Sequence, residues 1–300
     1  MINQYVWTVI VTYSPDVSAL KKLCNTIVAA GANVVIVDNT ESSYPHLMPS
    51  GEKIKLISLG FNSGISHAQN IGISFALNSG GKMIVFFDQD SIISDSYLGA
   101  LLADIEDPNE LVVRCPIIYD AESGFEYPFV VVSKWGFSSK IYASKSSQPV
   151  QISFGISSGS VVSASVFDQV GMFNEMLFID YVDTEWFLRC GFHSIPVIAQ
   201  PRATLDHRIG NFSKQHRFLK IHIHSPARVY YQVRNSIALL RISHIAIIFS
   251  VREIAATLIH KTIQTFYVER KFDHLRLIFK GIFHGLSGKL GSISRQTESN

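Results

Sequence analysis

The chain has 300 residues, 47% of them hydrophobic and 17% charged, which places it on the apolar side of globular proteins with length for one large domain and an appendage, or two domains. Its net charge of +2 is uneven: residues 241–300 carry nine Lys and Arg against four Asp and Glu. A uniformly basic nucleic-acid binder is excluded, and so is a bilayer-spanning helix, because no unbroken apolar run approaches ~20 residues.

Cys24, Cys115 and Cys190 lie far apart among apolar neighbours and lack metal-ligand spacing, the pattern of buried thiols in a reducing compartment. The N-terminus shows no basic segment followed by an apolar leader. A soluble or peripheral cytoplasmic protein is expected.

In chain order, Val6 to Val11 reads as a first strand, followed by a helix with Ser14 as N-cap, Pro15 at its first position and Leu20, Leu23, Cys24 and Ile27 on one face. Asn33 to Val37 and Ile54 to Leu59 are the next two strands. A glycine-punctuated turn from Phe61 then enters a helix that runs through Phe75 and Leu77 and stops at Asn78-Ser79-Gly80-Gly81. Met83 to Phe87 shows no polar alternation, as expected of an inner strand covered on both faces. Strand, helix and strand joined by short connections predict parallel crossovers.

Ser94 caps a helix carrying Leu98, Leu101, Leu102 and Ile105, and a strand starts at Leu111 to Val113. Tyr119 to Val150 reads as short β segments and a Ser/Lys-rich loop, a variable insertion. Order returns at Ile152 to Ser160, Val166 to Val170 forms a short helix, and a further helix opens at Asp180 and ends near Gly191. Ile195 to Ile198 is a strand, Asn211 to His224 a polar, basic lid, and Arg228 to Ile242 a helix. Ile247, Val251, Ile254 and Leu258, then Leu275, Phe279, Ile282 and Leu286, recur at helical spacing among basic residues. Such helices pack on the main domain or lie on an anionic membrane surface.

Polar residues converge at strand carboxyl ends, where open α/β sheets place ligands: Thr12, then Asp38 and Asn39, then Asp88 and Asp90. Asp88 and Asp90, one residue apart, can approach one hard cation and leave positions for a phosphorylated substrate; an ordinary strand-to-turn junction is the alternative. His207 could add an imidazole ligand or be a surface histidine. Asn62, Gln69 and Asn70 surround a helix N-terminal half, where N–H groups favour polar or anionic ligands, or they act as caps. Asp180, Asp183 and Glu185 suit a helix first turn equally as dipole partners or as catalytic acids. The apolar approach of Phe178, Tyr181 and Trp186 favours catalysis, because it raises carboxylate basicity.

The order of these motifs resembles the inverting family 2 glycosyltransferases, in particular their bacterial rhamnosyltransferase-like members, over about residues 5–290. The resemblance rests on Val11-Thr12-Tyr13, Val37-Asp38-Asn39, Asn62-Ser63-Gly64 with Ala68-Gln69-Asn70-Ile71-Gly72, and Phe87-Asp88-Gln89-Asp90-Ser91. It continues through Ser158-Gly159-Ser160, Phe178 to Trp186 with Arg189, His207-Arg208-Ile209-Gly210, and Tyr230 to Ser236. It implies the nucleotide-sugar-binding GT-A fold, an α/β fold with a mostly parallel central sheet flanked by helices. The catalytic domain would span residues 1–225, with a nucleotide-binding part over about 1–118 and an acceptor part over about 150–225, and an amphipathic helical extension would follow over 226–300.

By the same resemblance, Thr12, Tyr13, Asp38, Asn39, Asn62, Gly64, Gln69, Asn70, Asp88 and Gln89 bind the nucleotide sugar. Asp90, Asp88 and His207 hold Mg²⁺ or Mn²⁺, Asp183 is the general base, and Asp180, Glu185, Trp186 and Arg189 face the acceptor. Gln69 stands where many relatives have Arg, and Val182-Asp183 replaces a common Glu-Asp pair, which leaves the base open between Asp183 and Asp180. The implied activity is inverting, metal-dependent transfer of a hexose, L-rhamnose from dTDP-L-rhamnose, to a hydroxyl of a lipid-linked surface polysaccharide or O-antigen precursor. The implied location is the inner face of the cytoplasmic membrane, with contact to the anionic surface through the C-terminal helices. Another hexosyl donor, or a catalytically silent membrane-associated nucleotide-sugar-binding scaffold, are the alternatives. A sugar nucleotidyltransferase would want a glycine-rich, basic loop where Tyr13-Ser14-Pro15-Asp16 stands.

Overall fold

The computed structural model describes residues 5–42, 44–207, 213–216, 219–222 and 226–293, the side chains of 207, 213–216, 219–222 and 226 excepted. The N-terminal half alternates β1 (Val6–Thr12), α1 (Val17–Ala29), β2 (Asn33–Asp38), β3 (Ile54–Ser58), α2 (Ile65–Asn78), β4 (Met83–Asp88), α3 (Tyr97–Leu101) and β5 (Val113–Asp120). Shorter strands follow, β6 (Phe129–Val132), β7 (Ser138–Ile141), β8 (Val150–Ile152) and β9 (Val161–Ser163), then α4 (Ala164–Val170), α5 (Val182–Phe192) and β10 (Val197–His207). Of the expected lid, β11 (Ser213–His216) and β12 (Leu219–His222) pair antiparallel, and the rest lies outside the described residues. The chain continues through α6 (Pro226–Ala238), α7 (Ile247–Thr265) and α8 (Lys271–Ser287).

The main sheet has the order β3-β2-β1-β4-β9-β5-β10-β8. Pairings β3 to β2, β2 to β1, β1 to β4 and β5 to β10 are parallel, whereas β9 and β8 run antiparallel to their neighbours. Period-2 alternation divides the core. Val9, Val35, Val37, Ile84 and Phe86 face a layer containing α2, α4 and α5, and Ile10, Val34, Ile36, Val85 and Phe87 face one containing α1 and α3. Both faces are covered, which explains why these strands read as unbroken apolar runs. All three cysteines are buried and free.

Three boundaries differ from expectation. Asp16, and not Ser14, caps α1, its carboxylate accepting from Ser18 N at 2.8 Å and Ala19 N at 3.2 Å, because a charged acceptor satisfies two orphan donors at once. The second cap moves likewise, from Ser94 to Ser96. Strand β10 does not stop near Ile198 but runs to His207, its register shifting between Gln200 and Thr204. Pro201, lacking an N–H, is carried in that irregularity and does not end the strand.

The C-terminal helices pack on one another through Val229, Val233 and Ile237 of α6, Ile254 and Leu258 of α7, and Leu275, Ile278 and Ile282 of α8. The two apolar stripes therefore split: Ile247, Val251, Phe279 and Leu286 are exposed. Among the described residues no helix is long and apolar enough to cross a membrane.

Candidate active site

The parallel strands β1, β2 and β4 end on one edge of the sheet, and the loops leaving them are tied to each other. Thr12 donates its hydroxyl to Asp38 Oδ1 at 3.0 Å, and the Thr40 hydroxyl donates to the same oxygen at 2.6 Å. The Gln89 side chain accepts from Tyr13 N at 2.7 Å and donates to Tyr13 O at 3.3 Å, latching the loop after β4 to the loop after β1. Asn39 Oδ1 accepts from Ser63 N at 2.8 Å, and Asn39 Nδ2 donates to Asn62 Oδ1 at 3.2 Å. These bonds frame a cavity of about 460 Å³ lined by Thr12, Tyr13, Asn39, Asn62, Gly64, Asp88 and Gln89 on one side and Phe178, Arg228 and Tyr231 on the other.

Gly64 is required at its position. Its φ is +88°, and a Cβ there would lie 2.6 Å from the Phe178 ring and 2.7 Å from the Phe178 carbonyl, which accepts from Ile65 N at 2.8 Å. Gly72 lets α2 approach β1, since a Cβ would meet Val9 at 2.4 Å.

A second cavity of about 580 Å³ adjoins the first and shares Ile65, Asp88, Ile179 and Arg228 with it. Asp90, Gln69, Ser157, Ser158, Asp180, Tyr181, Asp183 and Thr184 complete its polar lining. Ser158 Oγ accepts from Asp88 N at 3.1 Å, and Gln69 donates to Ser157 Oγ at 3.1 Å. Gln69 Oε1 is buried without a hydrogen-bond partner among the described residues, an orphan acceptor at the cavity wall of the kind a ligand hydroxyl satisfies.

The two candidate bases have different surroundings. Asp180 is gripped by Arg228, Nη2 to Oδ1 at 2.8 Å and Nε to Oδ2 at 3.2 Å, and Gln232 donates to Oδ1 at 3.1 Å. Asp183 accepts from Ser157 N at 3.0 Å, and burial, reinforced by the charges of Asp88 and Asp180, pushes its carboxyl from 3.8 up to about 6.

The loop before α5 is strained: Phe178, Asp180 and Tyr181 all have φ between +62° and +67°. Helix α6 holds it in place. Asn235 Nδ2 donates to the carbonyls of Leu177, Ile179 and Asp180 at 2.8–2.9 Å, Arg234 Nη2 donates to Leu177 O at 2.8 Å, and Tyr231 stacks on Phe178 with centroids 4.8 Å apart. Arg228, Ser157 and Tyr231 are not among the residues the sequence assigns to the site, and Phe178, read there as part of its apolar approach, lines the cavity itself. The glycine-flanked run Gly155 to Gly159 signalled the serine, and nothing local signalled Arg228.

Several assigned residues lie elsewhere. Asp38 is buried beneath the cavity rim against the two threonines and does not line it. Asn70 holds the turn before α5, donating to Phe173 O at 2.9 Å and Glu175 Oε1 at 2.8 Å and accepting from Phe173 N at 3.0 Å. Glu185, Trp186 and Arg189 line neither cavity. Glu185 is buried and paired with Arg189 at 2.9 Å and His244 at 3.0 Å. Trp186 is fully buried and donates to Gly171 O at 2.8 Å. Arg189 donates to the carbonyls of Val170 and Met172 at 2.9 and 3.0 Å. The side chain of His207 lies outside the described residues.

A mostly parallel sheet with a polar cleft along the carboxyl ends of its strands is the arrangement of the GT-A glycosyltransferases. S. aureus TarS 1-349 in complex with UDP-GlcNAc superposes with a TM-score of 0.56 at 12% identity, covering 95% of this chain and 81% of that one. GalNAc-T7 with UDP, GalNAc and Mn2+ gives 0.55 at 15% identity, covering 84% of this chain and 57% of that one. Residues 9–171 match the family described as Glycosyl transferase family 2. The chain is also 38% identical over 291 residues to "dTDP-rhamnosyl transferase RfbF" of Shigella flexneri, covering 97% of this chain and 98% of that protein. The protein belongs to glycosyltransferase family 2 and is a glycosyltransferase.

Proposed function

We propose that the protein transfers L-rhamnose from dTDP-L-rhamnose to a hydroxyl of a lipid-linked surface polysaccharide or O-antigen precursor, with inversion at the anomeric carbon. The observation that carries this reading is Asp183, a carboxyl raised to about 6 in the same cavity as Asp88 and Asp90. The rhamnosyl donor is supported by the 38% identity to a dTDP-rhamnosyl transferase along nearly the whole chain.

The nucleotide occupies the cavity framed by Thr12, Tyr13, Asn39, Asn62, Gly64 and Gln89, and the sugar reaches the adjoining cavity beside Gln69. Among the described residues no group of three or more His, Cys, Asp and Glu is arranged to hold a metal. The hard oxygens of Asp88 and Asp90 nevertheless fit Mg²⁺ or Mn²⁺ that completes its coordination with substrate phosphate and water. When bound, such an ion neutralises charge on the leaving diphosphate. Arg228 lines both cavities and adds a fixed positive charge there.

Asp183 accepts the proton of the acceptor hydroxyl while that oxygen bonds to the anomeric carbon. The bond from this carbon to the diphosphate oxygen breaks, and its electron pair leaves with dTDP. A carboxylate titrating near 6 is ionised at neutral pH yet basic enough to assist, a contribution of about 10²- to 10⁴-fold. One displacement without a covalent sugar-enzyme intermediate inverts the anomeric centre.

Contact with an anionic membrane at the inner face of the cytoplasmic membrane is supported by α8. Phe272, Phe279, Phe283 and Leu286 are exposed along it, and Arg276 and Lys280 lie among them. Replacing Phe279 and Phe283 with Ser should reduce sedimentation with phosphatidylglycerol vesicles, and unchanged binding would remove the membrane assignment.

A panel of nucleotide sugars with Mg²⁺ or Mn²⁺, read for binding and slow hydrolysis, tests the activity. dTDP-L-rhamnose should be preferred. A preference for another sugar would replace the donor, and binding of none would end the transferase reading.

A further inference from the structure

A third cavity, of about 440 Å³, lies between the start of α5, α6 and α7. It shares Asp180, Tyr181 and Thr184 with the cavity that holds Asp183. That cavity in turn joins the nucleotide cavity through Asp88 and Arg228. The three form a continuous series with Asp183 near the second junction.

We propose that this third cavity binds the saccharide unit of the acceptor, so that α6 and α7, rather than Glu185, Trp186 and Arg189, select the acceptor. The proposal rests on the transferase reading. Three observations carry it.

Position is the first. With the nucleotide cavity at one end of the series, the third cavity gives an attacking hydroxyl an approach to Asp183 from the other end, past Thr184.

The second is the chemistry of the walls. Gln232, Glu253, Thr257, His260 and Lys261 line the cavity together. They mix acceptors, donors and groups that are both, as adjacent hydroxyls of a pyranose require. A uniformly acidic or basic wall would have pointed to an ionic ligand.

The third is unmet demand. Gln232 gives its amide N–H to Asp180, but its Oε1 is buried with no hydrogen-bond partner among the described residues. Lys261 is 2% exposed, donates to Gln264 Oε1 at 3.1 Å and has no carboxylate ion-pair partner among the described residues. Burial lowers its ammonium to about 8 and raises the Glu253 carboxyl. Buried polar groups left short of partners cost stability and contribute nothing to packing. A sugar hydroxyl would satisfy them.

The test uses the full chain with dTDP-L-rhamnose as donor and a panel of octyl pyranosides as acceptors. Ala256 is exposed on the cavity wall, so Ala256→Trp fills the space without disturbing the core. Lys261→Met removes the ammonium, and Glu253→Gln removes the carboxylate charge and one acceptor oxygen, both at near-constant volume. Each variant should raise the acceptor KM at least about tenfold, worth ~1.4 kcal/mol, with kcat and donor KM within about twofold. Donor hydrolysis without acceptor separates the outcomes. If it persists while all three variants keep the wild-type acceptor KM, the cavity is not the acceptor site and the transferase reading stands. Should no octyl pyranoside bind the dTDP-loaded protein by saturation-transfer NMR, the inference is likewise overturned. If the wild type neither binds nor hydrolyses any nucleotide sugar, the transferase reading itself fails.

Discussion

Asp180 and Asp183 stand three residues apart at the start of α5 yet are held by different partners. Arg228 holds Asp180 through two bonds at 2.8 and 3.2 Å, which keeps that carboxylate occupied. Asp183 receives the Ser157 N–H at 3.0 Å, and burial pushes its carboxyl up to about 6. One acid positions the loop, and the other is left to accept a proton.

This difference predicts a pH profile. Asp183 acts when ionised, so kcat/KM should rise about tenfold per pH unit below about 6 and level off above it. The raised value also means that the folded protein binds this proton more tightly than the unfolded chain. Ionising Asp183 therefore costs stability, increasingly between 3.8 and about 6 and fully above. Asp183→Asn should raise the Tm at pH 7.5, with a gain no larger than about 3 kcal/mol. A pH profile flat from 5 to 8 would exclude Asp183 as the base.

Arg228 braces Asp180 and lines the cavity proposed for the nucleotide. Arg228→Ala should raise the donor KM by about tenfold or more, and Arg228→Lys should recover only part of it, because an ammonium restores charge without the two-pronged geometry. Initial rates at varied donor concentration measure this.

Asn235 satisfies three carbonyls of the strained loop with one amide. Asn235→Ala should destabilise the fold by about 2–4 kcal/mol in urea unfolding. It should also lower kcat more than a surface substitution of equal stability cost, because Phe178, Asp180 and Tyr181 lose the contact that holds their positive φ.

Glu185 gives the contrasting case. Its pairing with Arg189 and His244 holds its carboxyl below the usual value against the opposing effect of burial. The stability it contributes is present above the unfolded pKa of about 4.5 and is lost as pH falls through the folded value. Glu185→Ala should destabilise by about 1–3 kcal/mol, since the half-buried Arg189 loses its carboxylate partner and keeps only the carbonyls of Val170 and Met172. The acceptor KM measured on the folded fraction should not change.

Much of the cleft along the sheet edge was legible in the sequence because parallel inner strands appear as unbroken apolar runs, and the polar residues just after them must emerge on one edge. Thr12, Asn39, Asp88 and Asp90 could be placed on that basis alone. The acidic cluster at the start of α5 was harder, because clustering along a helix is not clustering in space. Asp183 and Glu185 are separated by about 200° around α5, so one reaches the cavity and the other faces the half-buried Arg189 and His244. Asp38 and Asn70 line neither cavity for a related reason: a polar side chain beside a site can serve its neighbours' backbone and hydroxyls. Arg228 lay beyond local reading altogether, since only the fold brings α6 to a loop 48 residues earlier in the chain. Helical periodicity found α7 and α8 but could not divide their apolar residues between a packed face and an exposed one.

The most direct test of the central claim compares wild type with Asp183→Asn in transfer from dTDP-L-rhamnose, with donor affinity measured in parallel. The variant should bind the donor with a Kd within about twofold of wild type and lose about 10²- to 10⁴-fold in kcat. Transfer at the wild-type rate by Asp183→Asn would contradict the account.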